Sequence, residues 1–169
     1  MCGIVGVLSS SKTLYSKDRS NYFEQALFTG AVRGEDSTGV FAVPRKASNE
    51  IYLHKKAMAS PDYLDSKTGS RILNTMPDYS CVIGHNRSAT RGGVSNATAH
   101  PFNHGAITLV HNGTLRSAVG HDTQHLDVDS EQIAYALNQV EDPKEVLIKL
   151  VGAYVLIWWD TRVSRLFIA

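Results

Sequence analysis

MCGIVGVL, residues 1–8, decides how the rest of the chain is interpreted. Residues 2–8 are apolar and rich in β-branched side chains, which predicts a buried strand. Cys2 begins that strand. Removal of the methionine before it would leave Cys2 with a thiol and a free α-amine, whose pKa of about 7.7–8.0 suits a base near neutral pH. Nucleophile and general base would then lie in one residue. The alternative is a structural cysteine that packs as a small apolar side chain.

Composition and charge limit the classes of protein to which the chain can belong. Its 169 residues are 43% hydrophobic and 20% charged, with a net charge of +1. These values are typical of one soluble globular domain and indicate binding to neither nucleic acid nor an anionic membrane. The chain has two cysteines, no secretory signal and no apolar run near the roughly 20 residues of a membrane span. We therefore expect a cytoplasmic protein.

The pattern along the chain predicts a mixture of strands and helices. After the first strand, the expected elements are strands at 38–43, 51–54, 81–85, 107–110, 151–159 and 165–169, and helices at 18–32, from Asp129 and from Asp142. Residues 60–79 are polar, and we expect them to be irregular, with one short helix near 70–74. Strands at both ends with helices between them favour a layered α+β domain.

The C-terminal residues 166–169 are apolar and no polar tail follows them. Natural termini are usually exposed and mobile. We expect one domain over residues 1–169 that is cut short at its C-terminal end. A terminal strand tied into the sheet is the alternative.

Four further segments carry polar residues of the kinds that active sites use. They are RGEDSTG at 33–39, GHNRSATRG at 84–92, VHNGTL at 110–115 and DVDSE at 127–131. Together with CGIVG at 2–6, these motifs resemble, in order and over most of the chain, the class II (N-terminal-nucleophile) glutamine amidotransferase domain. The resemblance implies the N-terminal-nucleophile hydrolase fold, a four-layer αββα sandwich of two antiparallel sheets. It also implies catalysis without a cofactor.

Attack of a thiolate on the side-chain amide of glutamine forms an oxyanion, which requires hydrogen-bond donors aimed at that oxygen. Asn112 offers a side-chain amide and Gly113 a backbone N–H group. The Asn-Gly pair is also the strongest short-range signal for a hairpin turn. The neighbouring motifs favour the oxyanion interpretation.

The amino-acid end of glutamine requires two charged partners. Arg87 can bind the α-carboxylate with both arms of its guanidinium group, and Thr90 can add a hydroxyl or backbone contact. Asp129 can bind the α-ammonium group. Asp129 is also a strong helix N-cap, and its two oxygens could serve both roles. The resemblance places Arg87 and Asp129 in the glutamine pocket.

Two residues of the same loop depart from the family's pattern. Ser88 stands where the family often has an aromatic residue, and Arg91 where a histidine or a small residue is frequent. We assign both to the glutamine pocket and expect its wall to differ in shape. Arg33 resembles a residue that the family places near the nucleophile, where its charge could favour the thiolate. A turn brace between Arg33 and Asp36 explains the same residues.

The histidines do not predict a metal site. His121 and His125 are four residues apart, as metal ligands on a helix would be, but two ligands are too few for zinc. His85 and His111 each precede an asparagine at a strand end, and we interpret both as structural. We therefore expect neither a metal nor another cofactor.

These motifs predict that the chain hydrolyses the side-chain amide of L-glutamine to glutamate and ammonia through a thioester on Cys2. The ammonia would pass to an acceptor domain or subunit, in cis or in trans, that the sequence does not identify. Two alternatives stay open. One is an N-terminal-nucleophile amidohydrolase that cleaves another amide, and the other is a non-catalytic domain with the same fold.

Overall fold

A computed structural model of the protein describes residues 2–10, 17–46, 50–90, 93–116, 123 and 126–169. The chain forms two compact units, Met1–Ser88 with Val94–Pro101, and Ala89–Gly93 with Phe102–Ala169. Each unit contains a four-stranded antiparallel sheet together with helices. This confirms the predicted α+β class with two antiparallel sheets. In the part of the chain that is described, no helix is both long enough and apolar enough to cross a bilayer.

The described residues of the first unit form four strands and three helices. They are β1 (Gly3–Leu8), α1 (Lys17–Thr29), β2 (Ser37–Pro44), β3 (Tyr52–Lys56), α2 (Ser60–Asp65), α3 (Lys67–Thr75) and β4 (Tyr79–Arg87). The sheet order is β1-β4-β2-β3, so β4 is paired on both sides. Gly3 of β1 lies opposite Asn86, and Ser37 of β2 lies opposite Arg87. The beginnings of β1 and β2 therefore lie on either side of the C-terminal end of β4.

The core of the first unit lies between its sheet and its helices. Phe23 and Leu27, one helical turn apart, bury the same face of α1, while most of their neighbours in that helix are exposed or half-buried. Tyr63 of α2 and Ile72 of α3 complete this apolar layer. The four side chains are fully buried and pack with β2 and β4 through residues such as Val40 and Val82.

The prediction that residues 60–79 are irregular is wrong, although the short helix expected near 70–74 is confirmed as part of α3. The segment forms α2, α3 and a short 3-10 turn at Met76–Asp78. Its polar residues mark helix ends rather than a loop. Pro61 lies in the first turn of α2, and the Ser66 hydroxyl caps α3 by accepting a hydrogen bond from the backbone N–H of Gly69 at 3.1 Å.

Four strands and two helices are formed by the part of the second unit that the structure describes. They are β5 (Phe102–His104), β6 (Ile107–Leu115), α4 (Asp129–Asn138), α5 (Lys144–Leu147), β7 (Gly152–Asp160) and β8 (Arg165–Ile168). The sheet order is β5-β6-β7-β8. Ile133 and Leu137 of α4 pack against this sheet, where the Trp158 and Phe167 rings stack with their centroids 4.9 Å apart. The two C-terminal strands and the turn between them are as predicted.

The hairpin interpretation of Asn112 and Gly113 is wrong. Both residues lie inside β6, opposite Val155 and Tyr154 of β7. The N-cap interpretation of Asp129 is wrong by one residue, because Val128 holds that position and no side chain caps it. The polar pair at 112–113 is therefore held by a sheet ladder on β6, which is more rigid than a turn.

A buried carboxylate at the end of β7 pairs with an arginine of the turn that follows. Asp160 is almost fully buried, and an Nη atom of Arg162 lies 2.7 Å from its Oδ2. Burial by itself raises the pKa of Asp160, but the hydrogen bonds from Arg162 together lower it by more. The pKa of Asp160 therefore lies below its usual value. Arg162 also donates to the carbonyl oxygens of Leu137 and Val140 at the end of α4. It thereby supplies the positive charge that the last turn of α4 lacks.

Candidate active site

The predicted nucleophile is held by the main chain of one neighbouring residue. Cys2 is half-buried and directly precedes β1, whose register brings it alongside Arg87 at the end of β4. The backbone N–H of Ser88 donates to Cys2 Sγ at 3.4 Å, and the thiol lies 3.7 Å from the Ser88 carbonyl oxygen. These two contacts do not involve the Ser88 side chain. A serine in place of the family's aromatic residue therefore leaves them intact.

Arg33 contacts the main chain of the nucleophile. It ends the 3-10 turn Gly30–Arg33 that follows α1, and its Nε donates to the carbonyl oxygen of Cys2 at 3.0 Å. This hydrogen bond links the first residue of the described chain to the end of the first helix. The predicted effect of Arg33 on the thiolate stays a prediction.

Gly34 is a site residue to which the sequence analysis gave no role. A Cβ atom at this position would lie 2.4 Å from the carbonyl carbon of Arg87 and 2.6 Å from the nitrogen of Ser88. The absence of a side chain lets the turn approach the main chain that holds the thiol. The backbone N–H of Asp36 then donates to the Arg87 carbonyl oxygen at 3.1 Å. The available signal is a glycine two residues beyond the predicted helix at 18–32.

Arg87 is the last residue of β4, and only 2% of it is exposed. Its Nη1 lies 3.4 Å from the hydroxyl oxygen of Thr98. Thr98 is itself held by Ser95, whose backbone N–H donates to the Thr98 hydroxyl at 3.1 Å. The guanidinium group is thus fixed in a buried environment, where a carboxylate would meet little competition from water.

The surroundings of His85 agree with the structural role that the sequence predicts for it. It is fully buried in β4, and its ring stacks on that of His100 with the centroids 3.9 Å apart. Gly39 of β2 lies opposite His85, and a Cβ atom there would collide with the carbonyl oxygen of His100. The segment that carries His100 therefore packs closely on this strand pair.

In the second unit, Gly113 adopts a backbone conformation that favours glycine. Its φ angle is 157°, and a Cβ atom would lie 2.3 Å from the carbonyl oxygen of Ala153. Asn112 precedes it, half-buried. The strand thus presents a side-chain amide and a glycine peptide next to each other, as an oxyanion-binding pair requires.

Asp129 begins α4 and belongs to a small buried network. Its Oδ1 accepts a hydrogen bond from the backbone N–H of Ser130 at 2.9 Å, and its Oδ2 lies 3.5 Å from the backbone nitrogen of Leu115. The Ser130 hydroxyl lies 2.8 Å from Nδ1 of His111 and 3.4 Å from Oδ1 of Asp129. Burial lowers the pKa of His111, although the nearby Asp129 carboxylate raises it in part. His111 is therefore neutral at neutral pH.

The chain is similar to known proteins over most of its length. No protein-family model matches the chain. The chain is similar to proteins named glutamine–fructose-6-phosphate aminotransferase (isomerizing). The identity is 29% to that of Sulfurisphaera tokodaii over 100% of this chain, 29% to that of Streptococcus pyogenes over 92%, and 30% to that of Zymomonas mobilis over 92%. The resemblance to the class II glutamine amidotransferase domain is confirmed. The chain spans only 22–30% of the length of these relatives.

The residues that the amidotransferase resemblance singles out are divided between the two units. The first unit contains Cys2, Arg33, Arg87 and Ser88, which are neighbours there. The second contains the following assigned residues: Thr90, which is exposed, and Asn112, Gly113 and Asp129.

Some residues of the sequence analysis lie outside the described ranges. These are Arg91 of the predicted glutamine pocket and the histidine pair at 121 and 125. Within those ranges, no group of three or more His, Cys, Asp or Glu side chains is arranged to hold a metal ion. The expectation of catalysis without a metal stays a prediction.

Proposed function

We propose that this chain hydrolyses the side-chain amide of L-glutamine to glutamate and ammonia, with Cys2 as the nucleophile. Its similarity over at least 92% of its length to enzymes whose name includes glutamine and an amino transfer supports this proposal. The observation that carries it is the position of the Cys2 thiol, half-buried at the start of β1 and held at 3.4 Å by the Ser88 backbone N–H. A purely structural cysteine is usually fully buried, as Cys81 is.

The proposed cycle begins with removal of Met1, which frees the α-amine of Cys2. That amine takes the thiol proton, and Sγ attacks the side-chain carbonyl carbon of glutamine, so that a C–S bond forms. Asn112 and Gly113 stabilise the oxyanion. The intermediate collapses with cleavage of the C–N bond, and ammonia leaves with the proton that the amine carried. Water then attacks the thioester, releases glutamate and restores the thiol.

The amino-acid end of the substrate is assigned to the pocket residues of the sequence analysis. Arg87 binds the α-carboxylate, Thr90 adds a contact, and Asp129 binds the α-ammonium group. Ser88 and Arg91 contribute to the pocket wall. The main-chain contacts of Ser88 with the sulfur also give that residue a part in positioning the nucleophile.

Ammonia needs an acceptor. The relatives are named for transfer to fructose 6-phosphate and are more than three times as long as this chain, which spans 30% or less of them. We propose that the acceptor site lies in another domain or subunit, in cis or in trans. The chain described here would then be the ammonia-producing part of a larger assembly.

The test is glutaminase activity in matched cysteine variants. Intact mass first establishes that Met1 is absent from the purified protein. Cys2→Ala should reduce glutamate production to background. Cys81→Ala, the control, should retain it, because Cys81 is buried in β4 and does not contact substrate in the proposed mechanism. Glutamine, asparagine and a simple primary amide are compared as substrates. Full activity in Cys2→Ala, or equal rates on all three amides, would contradict the proposal.

A further inference from the structure

A chain of polar groups connects His111 in β6 to the carboxylate of Asp129 through Ser130. His111 Nδ1 and Ser130 Oγ are 2.8 Å apart, and Ser130 Oγ and Asp129 Oδ1 are 3.4 Å apart. His111 and Ser130 are each 2% exposed, so water does not compete with these contacts. From the sequence, Ser130 has no predicted role and His111 is interpreted as structural.

The positions of the protons follow from what each group can donate. Ser130 has one hydroxyl proton, and Asp129 as a carboxylate can only accept. If that proton pointed at His111, Oδ1 of Asp129 would face the lone pairs of the serine oxygen. If instead neutral His111 carries its proton on Nδ1, it donates to Ser130, and Ser130 donates to Asp129. Three atoms, His111 Nδ1, Ser130 Oγ and Asp129 Oδ1, are then joined by two hydrogen bonds, so this arrangement is favoured.

In this arrangement the two oxygens of Asp129 differ. Oδ1 accepts two hydrogen bonds from Ser130, one from the backbone N–H and one from the hydroxyl. Within the described ranges, Oδ2 is approached by the Leu115 backbone nitrogen at a long distance of 3.5 Å. The side chain of Asp129 is 12% exposed, so the carboxylate is not fully enclosed. Oδ1 therefore fixes the orientation of the carboxylate, and Oδ2 keeps capacity for a cationic group.

We infer that His111 and Ser130 are positioning residues that hold Asp129 so that Oδ2 receives the α-ammonium group of the substrate. This inference rests on the proposed function, because Asp129 is there the partner of that ammonium. It assigns Ser130 and His111 to substrate selection. They distinguish an amide that carries an α-ammonium group from one that does not, without contacting it.

The test compares L-glutamine with glutaramic acid, in which hydrogen replaces the α-ammonium group. For each variant the ratio of kcat/KM for glutamine to kcat/KM for glutaramic acid is measured. Ser130→Ala should lower this ratio about ten-fold, the equivalent of one charge-assisted hydrogen bond. Ser60→Ala is the matched control, since Ser60 is a fully buried serine in the first unit with its own contact to the Phe28 carbonyl. It should leave the ratio unchanged.

A second pair of variants decides the matter if Ser130→Ala does not fold. His111→Leu removes the donor and should lower the ratio by at least about five-fold, whereas His111→Asn keeps an N–H near the position of Nδ1 and should stay within about two-fold of the wild type. A general structural role would reduce both substrates equally. An unchanged ratio in Ser130→Ala and His111→Leu, with glutamine hydrolysed by the wild type, overturns this inference alone. Absence of hydrolysis by the wild type overturns the proposed function and this inference with it.

Discussion

Replacement of Gly34 by alanine should destabilise the protein, because the new methyl group would collide with the main chain of Arg87 and Ser88. The new methyl group would lie 2.4 Å from the carbonyl carbon of Arg87, 2.6 Å from its oxygen and 2.6 Å from the Ser88 nitrogen. Non-bonded carbon atoms prefer about 3.5–4.0 Å, so the turn must move by roughly 1 Å. None of the three atoms belongs to a flexible side chain that could swing away.

The magnitude is the sum of three contributions. Overpacking costs about 1–3 kcal/mol, and loss of the hydrogen bond from the Asp36 N–H group to the Arg87 carbonyl oxygen adds about 1 kcal/mol. Alanine opposes this with about 0.4–1 kcal/mol, because it restricts the unfolded chain more than glycine does. The backbone of Gly34 is extended, with φ at −177°, so no strain term is added. We expect a net loss of about 1–3.5 kcal/mol in the free energy of unfolding.

Gly93→Ala is the matched control, since a Cβ atom at Gly93 meets nothing within 4 Å. It should leave the free energy of unfolding unchanged or raise it by at most about 1 kcal/mol. Urea unfolding of both variants, followed by circular dichroism, measures the difference. Glutamate production by Gly34→Ala should also fall, because the shift moves the Ser88 N–H away from the Cys2 sulfur. Equal stability of the two variants, within about 0.5 kcal/mol, would refute the steric reasoning.

Two further predictions concern single side chains. Arg162→Ala should cost about 2–3 kcal/mol in urea unfolding at pH 7, because buried Asp160 loses the guanidinium group and keeps the hydrogen bond from the backbone N–H of residue 162. The figure is not larger because the Arg162 side chain is partly exposed, and water screens the pair. Replacement of the exposed Arg165 in the same hairpin by alanine is the control and should change the free energy of unfolding by no more than about 0.5 kcal/mol. Because the pKa of Asp160 is lowered in the folded protein, the stability difference between wild type and Arg162→Ala should shrink as acid protonates Asp160. Iodoacetamide at pH 8 should label Cys2 and spare Cys81, because burial raises the pKa of Cys81 to about 12. Mass spectrometry of the folded protein measures the labelling, and equal labelling of the two cysteines would contradict this prediction.

The sequence predicted elements well where one local signal dominates. The apolar, β-branched runs of β1, β4 and β7 are strands, since such runs have few other stable arrangements. Residues 60–79 were predicted wrongly because serine, proline and aspartate favour helix starts as well as loops, and only burial of Tyr63 and Ile72 decides between them.

The site was predicted in part for a different physical reason. Cys2 and Arg87 belong to motifs whose residue types indicate a function directly, since a thiol can act as a nucleophile and a guanidinium group can bind a carboxylate. Gly34 and Ser130 act through contacts with Arg87 and His111, residues far from them in the sequence, and the sequence does not show which distant segments the sheets bring together. The Asn112–Gly113 pair shows the same limit, because a turn signal yields to pairing with a neighbouring strand.

The place of β1 in its sheet has a consequence for the order of events during synthesis. β1 is an edge strand and pairs with β4, so that Gly3 cannot pair until Asn86 has been synthesised. At about 5–20 residues per second, a ribosome needs on the order of 4–16 s to make the intervening chain. During that interval the strand partner of Cys2 does not yet exist, and the chain end is accessible to an aminopeptidase. Removal of Met1, on which the proposed chemistry depends, therefore has an interval of this length before the strand partner of Cys2 has been made.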